Sequence, residues 1–394
     1  MSLFRTDLNA QLNQIEVSEI RQFDEATSSI PDILKLTLGE PDFNIPEHVQ
    51  LAAKQAIDDN FSHYTSNAGI PEVRQAAADF QNKKYGLHYN ADNVITTVGA
   101  SEAIAAALGT VLNPGDGVIV PAPIYSAYTP LINFYHGVEV RVNTRPNNFV
   151  LTPAMIEQAI QDHPDIQFKA IVLNYPSNPT GVTYRKEELE ALVTVFKKYN
   201  LWVLSDEIYS ELTYGTTHTS IASMIPEQTV LISGLSKSHA MTGWRIGFIF
   251  ADVDMIEEIK KVHQYMVTAA TSIVQKAAVE ALTSGIDDGR EMAREYLKRR
   301  DYVYREMSDM GFEIARPDGA FYIFGKIPAP FNQDSMAFCK DLAQKNHLAL
   351  IPGHAFGDEG EGYVRLSYAS DMTKLQEAMK RLRAYIETPT NIVH

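Results

Sequence analysis

Short apolar runs alternate with helical patterns along the first two thirds of the chain. Runs rich in β-branched residues and bounded by Gly, Pro, Ser or Asn predict strands at 93–99, 116–122, 168–175, 201–207, 229–234 and 245–251. Segments 12–26, 101–112 and 185–200 have apolar residues at helical spacing. Strands that alternate with helices predict an α/β fold, built from βαβ units around a mostly parallel central sheet that is buried on both faces.

The pattern changes near residue 290. A long charged helical segment at 291–311 is followed by short strand patterns, a second helix, another strand and a closing helix. This order predicts a separate, smaller α+β domain. The charge run at 291–308 predicts a solvated helix face.

Composition and charge exclude several classes of function. The chain of 394 residues is long enough for more than one domain, and its net charge of −15 comes without a basic stripe, which is unfavourable for binding nucleic acid or an anionic membrane. No apolar run approaches the roughly 20 residues of a membrane span, and the polar start does not have the pattern of a signal peptide. The single cysteine, Cys339, excludes a disulfide framework within one chain. We therefore expect a soluble, cytoplasmic protein.

Polar residues follow several of the predicted strands, where ligands bind in open α/β sheets. Gly99, Ala100 and Ser101 open a helix after the first strand, which suits either a phosphate site or an ordinary Ser N-cap. Asn178 follows the third strand, in a turn that contains two prolines, and Asp206 ends the fourth. A buried carboxylate needs a partner, although Asp206 could also cap the next helix.

Lys237 follows the fifth strand within "SGLSKSHAMTGWRIG", among small and hydroxyl residues. Asn178, Asp206 and Lys237 succeed one another at steps of about 30 residues, the length of a βα repeat, so their side chains should emerge along one edge of the sheet. A lysine, a carboxylate, an amide and a phosphate cradle suit pyridoxal 5′-phosphate, which needs an amine for its aldehyde and a carboxylate for its ring nitrogen. The sequence contains neither a G-x-G-x-x-G after a strand nor a phosphate-binding loop that ends in Gly-Lys-Ser/Thr.

The motifs "NYPSNPTG", "SDEIYSEL", "SGLSKSHAMTGWRIG" and "GYVRLSYA" resemble those of the class I/II aminotransferases of the aspartate aminotransferase fold, in order, over residues 15–385. The resemblance implies pyridoxal-phosphate-dependent fold type I and a homodimer with shared active sites. We expect an N-terminal segment at 1–43 that packs with the small domain, a large cofactor-binding domain at 44–290 and a small C-terminal α+β domain at 291–394.

The resemblance also assigns a role to each matching residue. Lys237 would bind the cofactor covalently and then carry the substrate proton; Asp206 would pair with the ring nitrogen. Tyr209 and Asn178 match the donors to the phenolate oxygen, and Tyr125 matches the aromatic that stacks on the ring. The phosphate contacts match Ala100, Ser101, Ser236 and Arg245, and Tyr64 matches a tyrosine that reaches the phosphate of the partner subunit. The contacts to the substrate carboxylate match Arg365, Asn178 and Gly39. In the family, a serine that contacts the phosphate often lies three positions before the lysine, where this chain has Gly234. Whether Ser236 contacts the phosphate instead stays open. Arg365 suits its role because its planar fork binds a carboxylate in two places.

Substrate identity depends on the pocket segments 61–70, 99–112 and 121–135, which contain no Lys or Arg. Their aromatic side chains predict a pocket for an apolar or aromatic substrate: Tyr64, Tyr125, Tyr128, Phe134 and Tyr135. Arg21 stays open as a cation for a distal carboxylate. In its overall pattern the sequence resembles the aromatic amino-acid aminotransferases of lactic acid bacteria, with N-acetyl-diaminopimelate and aspartate aminotransferases as the near alternatives.

Two other classes of protein share the fold. A cysteine-conjugate β-lyase uses the same cofactor and lysine. A pyridoxal-binding transcriptional regulator would need an N-terminal DNA-binding helix-turn-helix, which we do not expect here because the fold motifs begin by residue 35. We therefore predict transfer of an amino group from an L-amino acid, preferably aromatic, to a 2-oxo acid such as 2-oxoglutarate.

Overall fold

The computed structural model describes residues 9–388. Its α-helices are α1 Glu19–Thr27, α2 Glu47–Asp58, α3 Pro71–Tyr85, α4 Gly99–Val111, α5 Tyr128–Phe134, α6 Pro153–Asp162, α7 Lys186–Tyr199, α8 Val253–Val267, α9 Ser272–Leu282, α10 Asp288–Asp309, α11 Ser335–Asn346 and α12 Met372–Ile386. Its strands are β1 Leu34–Lys35, β2 Val94–Thr97, β3 Gly117–Ala122, β4 Val138–Asn143, β5 Phe168–Asn174, β6 Trp202–Asp206, β7 Thr229–Gly234, β8 Gly247–Phe250, β9 Glu313–Ile314, β10 Tyr322–Lys326, β11 Leu348–Ala349, β12 Ile351–Pro352 and β13 Tyr363–Ser367.

A seven-stranded sheet forms the centre of the large part of the molecule, in the order β2-β8-β7-β6-β5-β3-β4. All neighbouring strands are parallel except β8, which runs antiparallel to both β2 and β7. The structure therefore confirms the predicted α/β class and the predicted strands. The sequence prediction did not include β4, an edge strand on which exposed and buried residues alternate.

Helix α4 lies against the buried sheet and begins at the point where several site residues converge. Three of its alanines, Ala103, Ala106 and Ala107, are fully buried. Small side chains let a helix backbone approach a sheet closely. Gly99 opens the helix with φ of +77°, a conformation that favours glycine, and it brings the helix start to the carboxyl edge of the sheet.

A second, four-stranded antiparallel sheet has the order β12-β13-β10-β9 and packs with α10, α11 and α12. The N-terminal segment joins this part of the molecule, because Ile20, Phe23 and Leu36 belong to its hydrophobic core. Strand β1 pairs in parallel with β11, with Leu34 opposite Leu348. These contacts support our proposal of an N-terminal segment at 1–43 that packs with a small domain at 291–394, beside a large domain at 44–290; residues 1–8 and 389–394 of these ranges lie outside the described residues.

The structure corrects two sequence predictions about helices. The segment 12–26 is not one helix, because a short 3-10 turn ends at Gln14 and α1 begins only after Ser18. The backbone between them is extended, as β-branched residues such as Ile15 and Val17 favour. The charge run in α10 is only partly solvated, since Arg299 and Arg300 are buried. Arg299 pairs with Asp42 at 2.7 Å.

Within residues 9–388 there is no helix that is both long and apolar enough to cross a membrane.

Candidate active site

One cavity of about 530 Å³ lies beyond the carboxyl ends of β5, β6 and β7, between the two sheets. It brings together every predicted site residue except Tyr64: Gly39, Ala100, Ser101, Tyr125, Asn178, Asp206, Tyr209, Ser236, Lys237, Arg245 and Arg365. Tyr64 lies outside the cavity, and 92% of its side chain is exposed. Asn178, Asp206 and Lys237 meet here because parallel strands end at a common edge, whereas Gly39 comes from the N-terminal segment and Arg365 from β13 of the second sheet.

Asp206 is the last residue of β6 and is buried at the base of the cavity. Its carboxylate accepts a hydrogen bond of 2.5 Å from the Tyr128 hydroxyl and one of 3.2 Å from the backbone N–H of Ile208. Burial raises the pKa of Asp206 to about 6, and these two donors oppose that rise. The carboxylate is therefore held in one orientation while its surroundings favour a cationic partner.

Lys237 follows β7 and extends into the same cavity. Its ammonium donates a hydrogen bond of 2.7 Å to the carbonyl oxygen of Gly39. Burial lowers the pKa of Lys237 to about 8; Glu40 opposes this shift, and the positive charges of Arg365 and Arg245 reinforce it. A lysine with a lowered pKa has a substantial fraction of neutral, nucleophilic amine near neutral pH.

A cradle for an anion lies at the start of α4. Arg245 has φ of +53° and donates from its guanidinium to the Thr242 carbonyl oxygen at 2.9 Å. A Cβ atom at Gly99 would lie 2.6 Å from the Arg245 guanidinium, so only glycine leaves room for the arginine to cover the helix start. Ala100 and Ser101 follow at that start, where backbone N–H groups attract anions. Ser236 is buried and lines the cavity. Its contact with the phosphate remains a prediction.

Arg365, on β13, is buried without an acidic partner in the described part of the chain. It donates to the Asn178 side-chain oxygen at 2.9 Å and to the Thr37 carbonyl oxygen, and its Nε has no hydrogen-bond partner among residues 9–388. Its guanidinium carbon is close to two rings, 4.6 Å from the Tyr322 centroid and 4.9 Å from that of Phe356. Burial lowers the pKa of Arg365. A buried cation with an unsatisfied donor is a strong site for a carboxylate.

The remaining predicted contacts lie around this arginine. The backbone N–H of Asn178 donates to Asn174 Oδ1 at 2.9 Å, which fixes the turn after β5. The hydroxyl of Tyr209 lies 2.8 Å from that of Tyr322, and burial raises the pKa of Tyr209 well above its ordinary value. Tyr125 lines the cavity and packs edge-to-face on Tyr128, with 6.0 Å between the ring centroids.

The prediction that five aromatic side chains line the substrate pocket is largely wrong for the single chain. Of its five aromatic residues only Tyr125 lines the cavity. Tyr128 is buried because its hydroxyl serves Asp206, Tyr135 packs against Gly109, and Phe134 is half exposed. Arg21, which the sequence left open, does line the cavity.

The sequence prediction also missed Tyr322, Glu40 and Thr37, which line the cavity. The motif "GAFYIF" shows an apolar strand but not which of its residues faces Arg365. That relation depends on the pairing of β10 with β13, where Tyr322 is opposite Ser367 and Phe324 opposite Arg365. Such non-local pairing leaves no trace in a single sequence.

The residues of the cavity fit pyridoxal 5′-phosphate. A lysine of lowered pKa suits the aldehyde and a buried carboxylate suits the ring nitrogen. The cradle formed by Gly99, Ser101 and Arg245 suits the phosphate, and the unsatisfied Arg365 suits the carboxylate of an amino acid. These groups line one cavity, as a single ligand and its substrate require.

Comparisons with known proteins agree with this chemistry. The sequence model of the family described as "Aminotransferase class I and II" matches residues 31–382. A Bacillus subtilis (strain 168) protein named "Probable N-acetyl-LL-diaminopimelate aminotransferase" is 49% identical over 380 residues, which cover 96% of this chain and 95% of that protein.

Solved structures are similar over almost the whole chain. A double mutant of aspartate aminotransferase from Thermus thermophilus has a TM-score of 0.90 at 35% identity, covering 96% of this chain and 100% of that one. The aromatic aminotransferase from Pyrococcus horikoshii OT3 has a TM-score of 0.87 at 33% identity, covering 95% of this chain and 100% of that one. Together with the family match, these similarities show that the chain belongs to the class I and II aminotransferases and is a pyridoxal-phosphate-dependent aminotransferase of fold type I.

Proposed function

We propose that this aminotransferase moves the amino group of an L-amino acid to a 2-oxo acid such as 2-oxoglutarate, by a ping-pong mechanism of two half-reactions in one cavity. The observation that carries the proposal is Arg365, a buried cation that has no acidic partner among the described residues and that shares the cavity with Lys237. An α-amino acid presents a carboxylate to the first residue and a Cα–H to the second.

Arg365 binds and orients the substrate. Its free Nε and its NH groups form a planar fork that accepts a carboxylate in two places, and Asn178 holds one side of that fork at 2.9 Å. The flanking rings of Tyr322 and Phe356 exclude water from its faces. Fixing the carboxylate limits the positions available to Cα. The binding energy thereby offsets the entropic cost of orienting Cα–H for reaction.

Lys237 carries the proton. When bound, pyridoxal 5′-phosphate supplies an aldehyde that reacts with amines and a cationic ring that draws electrons from the substrate Cα. Because its pKa is lowered to about 8, Lys237 is partly neutral near neutral pH and can take the proton from Cα and later return it. The Gly39 carbonyl oxygen, 2.7 Å from Nζ, orients the amine.

The cofactor would be held by five side chains of the cavity: Asp206, Tyr209, Asn178, Tyr125 and Arg245. The Asp206 carboxylate, oriented by Tyr128, would keep the ring nitrogen protonated. Tyr209 and Asn178 would donate to the phenolate oxygen, and Tyr125 would stack on the ring. Arg245 with the start of α4 would bind the phosphate, with Ala100, Ser101 and Ser236 as its neighbours.

A visible spectrum tests the core of the proposal. We expect the purified protein with pyridoxal 5′-phosphate to show a yellow absorption that bleaches with an amino donor and returns with a 2-oxo acid. Lys237→Ala should lose this band and the turnover, whereas Lys261→Ala, at an exposed ion pair on α8, should retain both. Full activity of Lys237→Ala would contradict the proposal. Release of pyruvate and ammonia from cystathionine without a 2-oxo acid would favour the β-lyase instead.

Two classes of amino acid are candidates for the amino donor: aromatic and acidic. Aromatic donors are the sequence prediction, and the rings of Tyr125 and Tyr322 in the cavity support it, as does the similarity to an aromatic aminotransferase. Acidic donors are supported by Arg21, which lines the cavity and has no ion pair or side-chain hydrogen bond within residues 9–388. The relative that is 49% identical is named for an acidic substrate, N-acetyl-LL-diaminopimelate. We rank the acidic donor first, since most of the predicted aromatic pocket lies elsewhere.

Specificity constants with L-Phe, L-Tyr, L-Asp and N-acetyl-LL-diaminopimelate decide between the candidates. We expect the highest value for one of the two acidic donors. Arg21→Gln should lower kcat/KM for the preferred acidic donor by about 10- to 100-fold, as the loss of a hydrogen bond to a charged group does. Arg294→Gln, at an exposed position of α10 outside the cavity, is the matched control and should change nothing. A higher value for L-Phe or L-Tyr would return the aromatic donor to first place.

Tyr64 supports a homodimer with shared active sites. Its side chain is 92% exposed in the single chain, and we propose that it reaches the phosphate in the partner subunit. Mixing Tyr64→Phe with Lys237→Ala should create hybrid dimers with one intact site, and the mixture should therefore be more active than either variant alone. A monomer in light scattering, or no gain on mixing, would contradict the shared site.

A further inference from the structure

Tyr322 joins the two halves of the site, although no sequence pattern identified it. It is the first residue of β10, only 1% of it is exposed, and it lines the cavity. Its hydroxyl lies 2.8 Å from the Tyr209 hydroxyl, and its ring lies 4.6 Å from the guanidinium carbon of Arg365. A Cβ atom at Gly39 would overlap this hydroxyl, so glycine is required beside it.

The hydroxyl pair has one consistent arrangement once the cofactor is bound. A phenol carries a single proton, so Tyr209 can donate to the phenolate oxygen only if its own oxygen accepts from Tyr322. Donors in a chain polarise one another, which makes the terminal donor stronger. This step rests on the proposed function, in which Tyr209 serves the phenolate.

The ring has a second, separate role. Arg365 is buried, and its guanidinium carbon lies within 5 Å of the ring centroids of both Tyr322 and Phe356, at 4.6 and 4.9 Å. A cation over an aromatic face is attracted by the ring and kept from water. At 4.6 Å from the guanidinium carbon, the Tyr322 ring also limits the orientations open to the guanidinium fork, on which binding of a carboxylate in two places depends.

We propose that Tyr322 is a positioning residue with two separable functions: its hydroxyl directs the proton of Tyr209 to the cofactor, and its ring sets the plane of Arg365 for the substrate carboxylate. The titratable and charged groups that face it are Tyr209, Arg365 and Tyr125, and Lys237 lies 5.8 Å from the Tyr209 ring centroid. One side chain thereby links recognition of the cofactor to recognition of the substrate.

Two substitutions separate these functions. Tyr322→Phe removes the hydroxyl and keeps the ring, whereas Tyr322→Met removes both and fills much of the volume. Tyr296→Phe is the matched control, because the buried Tyr296 hydroxyl has no hydrogen-bond partner in the described part of the chain. For each protein we would titrate the visible absorption of the bound cofactor with pH. We would also measure the Kd of 2-methylalanine, whose Cα has no proton to lose, at a pH below all the midpoints.

We expect Tyr322→Phe to raise the pH midpoint of the absorption by about one unit, because the phenolate oxygen becomes more basic when Tyr209 donates less strongly. Its Kd for 2-methylalanine should stay within about twofold of the wild type, while Tyr322→Met should share the raised midpoint and bind about tenfold more weakly. Tyr296→Phe should leave the midpoint and the Kd unchanged.

A wild-type midpoint in Tyr322→Phe would overturn the role of the hydroxyl, and equal Kd values for the Phe and Met variants would overturn the role of the ring. If Tyr322→Met does not fold, a tenfold weaker Kd in Tyr322→Phe would overturn the separation, since the ring alone should preserve binding. Absence of any Lys237-dependent absorption in the wild type would instead refute the proposed function, and the two failures are therefore distinguishable.

Discussion

Arg141 donates a hydrogen bond of 2.9 Å to the carbonyl oxygen of Phe356 and so ties the edge of the large sheet to the loop before β13. Gly357, with φ of +108°, leaves room for this guanidinium. Glu359 accepts a second hydrogen bond from Arg141, at 3.0 Å. The other end of Phe356, its ring, packs 4.9 Å from Arg365, so an arginine at the edge of the sheet supports the proposed carboxylate-binding arginine.

Arg141→Gln should therefore weaken substrate binding without disturbing the cofactor. We expect KM for the amino donor to rise about three- to tenfold, the effect of losing roughly one net hydrogen bond, with kcat and the visible spectrum unchanged. Arg316→Gln removes an exposed arginine before β10 and is the control, for which KM should not change. An unchanged KM in Arg141→Gln would show that the loop holds Phe356 without it.

Arg365→Met should lower kcat/KM by about 100- to 1000-fold, because the substrate carboxylate loses its buried partner. Arg365→Lys should fall between Met and wild type, since an ammonium keeps the charge but not the fork. The apoprotein of Arg365→Met should be no less stable than wild type in urea unfolding, because it removes a desolvated charge that has no acidic partner in the described chain. A marked loss of stability would mean that Arg365 is chiefly structural.

Tyr128→Phe should weaken binding of pyridoxal 5′-phosphate about tenfold or more. The lost hydroxyl lies 2.5 Å from Asp206, and a hydrogen bond to a charged group contributes about 1.5–3 kcal/mol. The pKa of Asp206 should rise further, because the Tyr128 bond opposes the effect of burial. Tyr89→Phe removes a buried hydroxyl that has no hydrogen-bond partner within residues 9–388, and its Kd in equilibrium dialysis should match the wild type. Equal Kd values for all three proteins would refute the role of Tyr128.

Capture of pyridoxal 5′-phosphate by the apoprotein should speed up as the pH rises, with a midpoint near 8. The neutral amine is the nucleophile, and burial lowers the pKa of Lys237 to about 8, so the reactive fraction grows through that pH. Glu40→Gln should move the midpoint lower, because the Glu40 charge raises the pKa of Lys237. Stopped-flow absorbance measures the rate. A midpoint near the ordinary lysine value of about 10.4 would contradict the buried position of the amine.

The alternation of apolar runs and helices was sufficient to predict the central sheet and the edge where Asn178, Asp206 and Lys237 meet. This succeeds because βα repeats are local in sequence and parallel strands end together. The roles of neighbouring residues were harder to predict. The sequence predicted that Tyr128 lines the substrate pocket. In the structure, the packing of α5 places its hydroxyl against Asp206 instead.

By itself the sequence determined the α/β class, the positions of six strands of the central sheet along the chain and the residue types that suit pyridoxal 5′-phosphate, since these depend on periodicity and on the chemistry of single side chains. Only the tertiary structure decided that Tyr322 lies between Tyr209 and Arg365, that Arg21 reaches the cavity and that Arg299 is buried against Asp42. Each of these relations joins residues far apart in the chain. Their energies depend on packing and desolvation, which exist only once the two sheets have closed around the cavity.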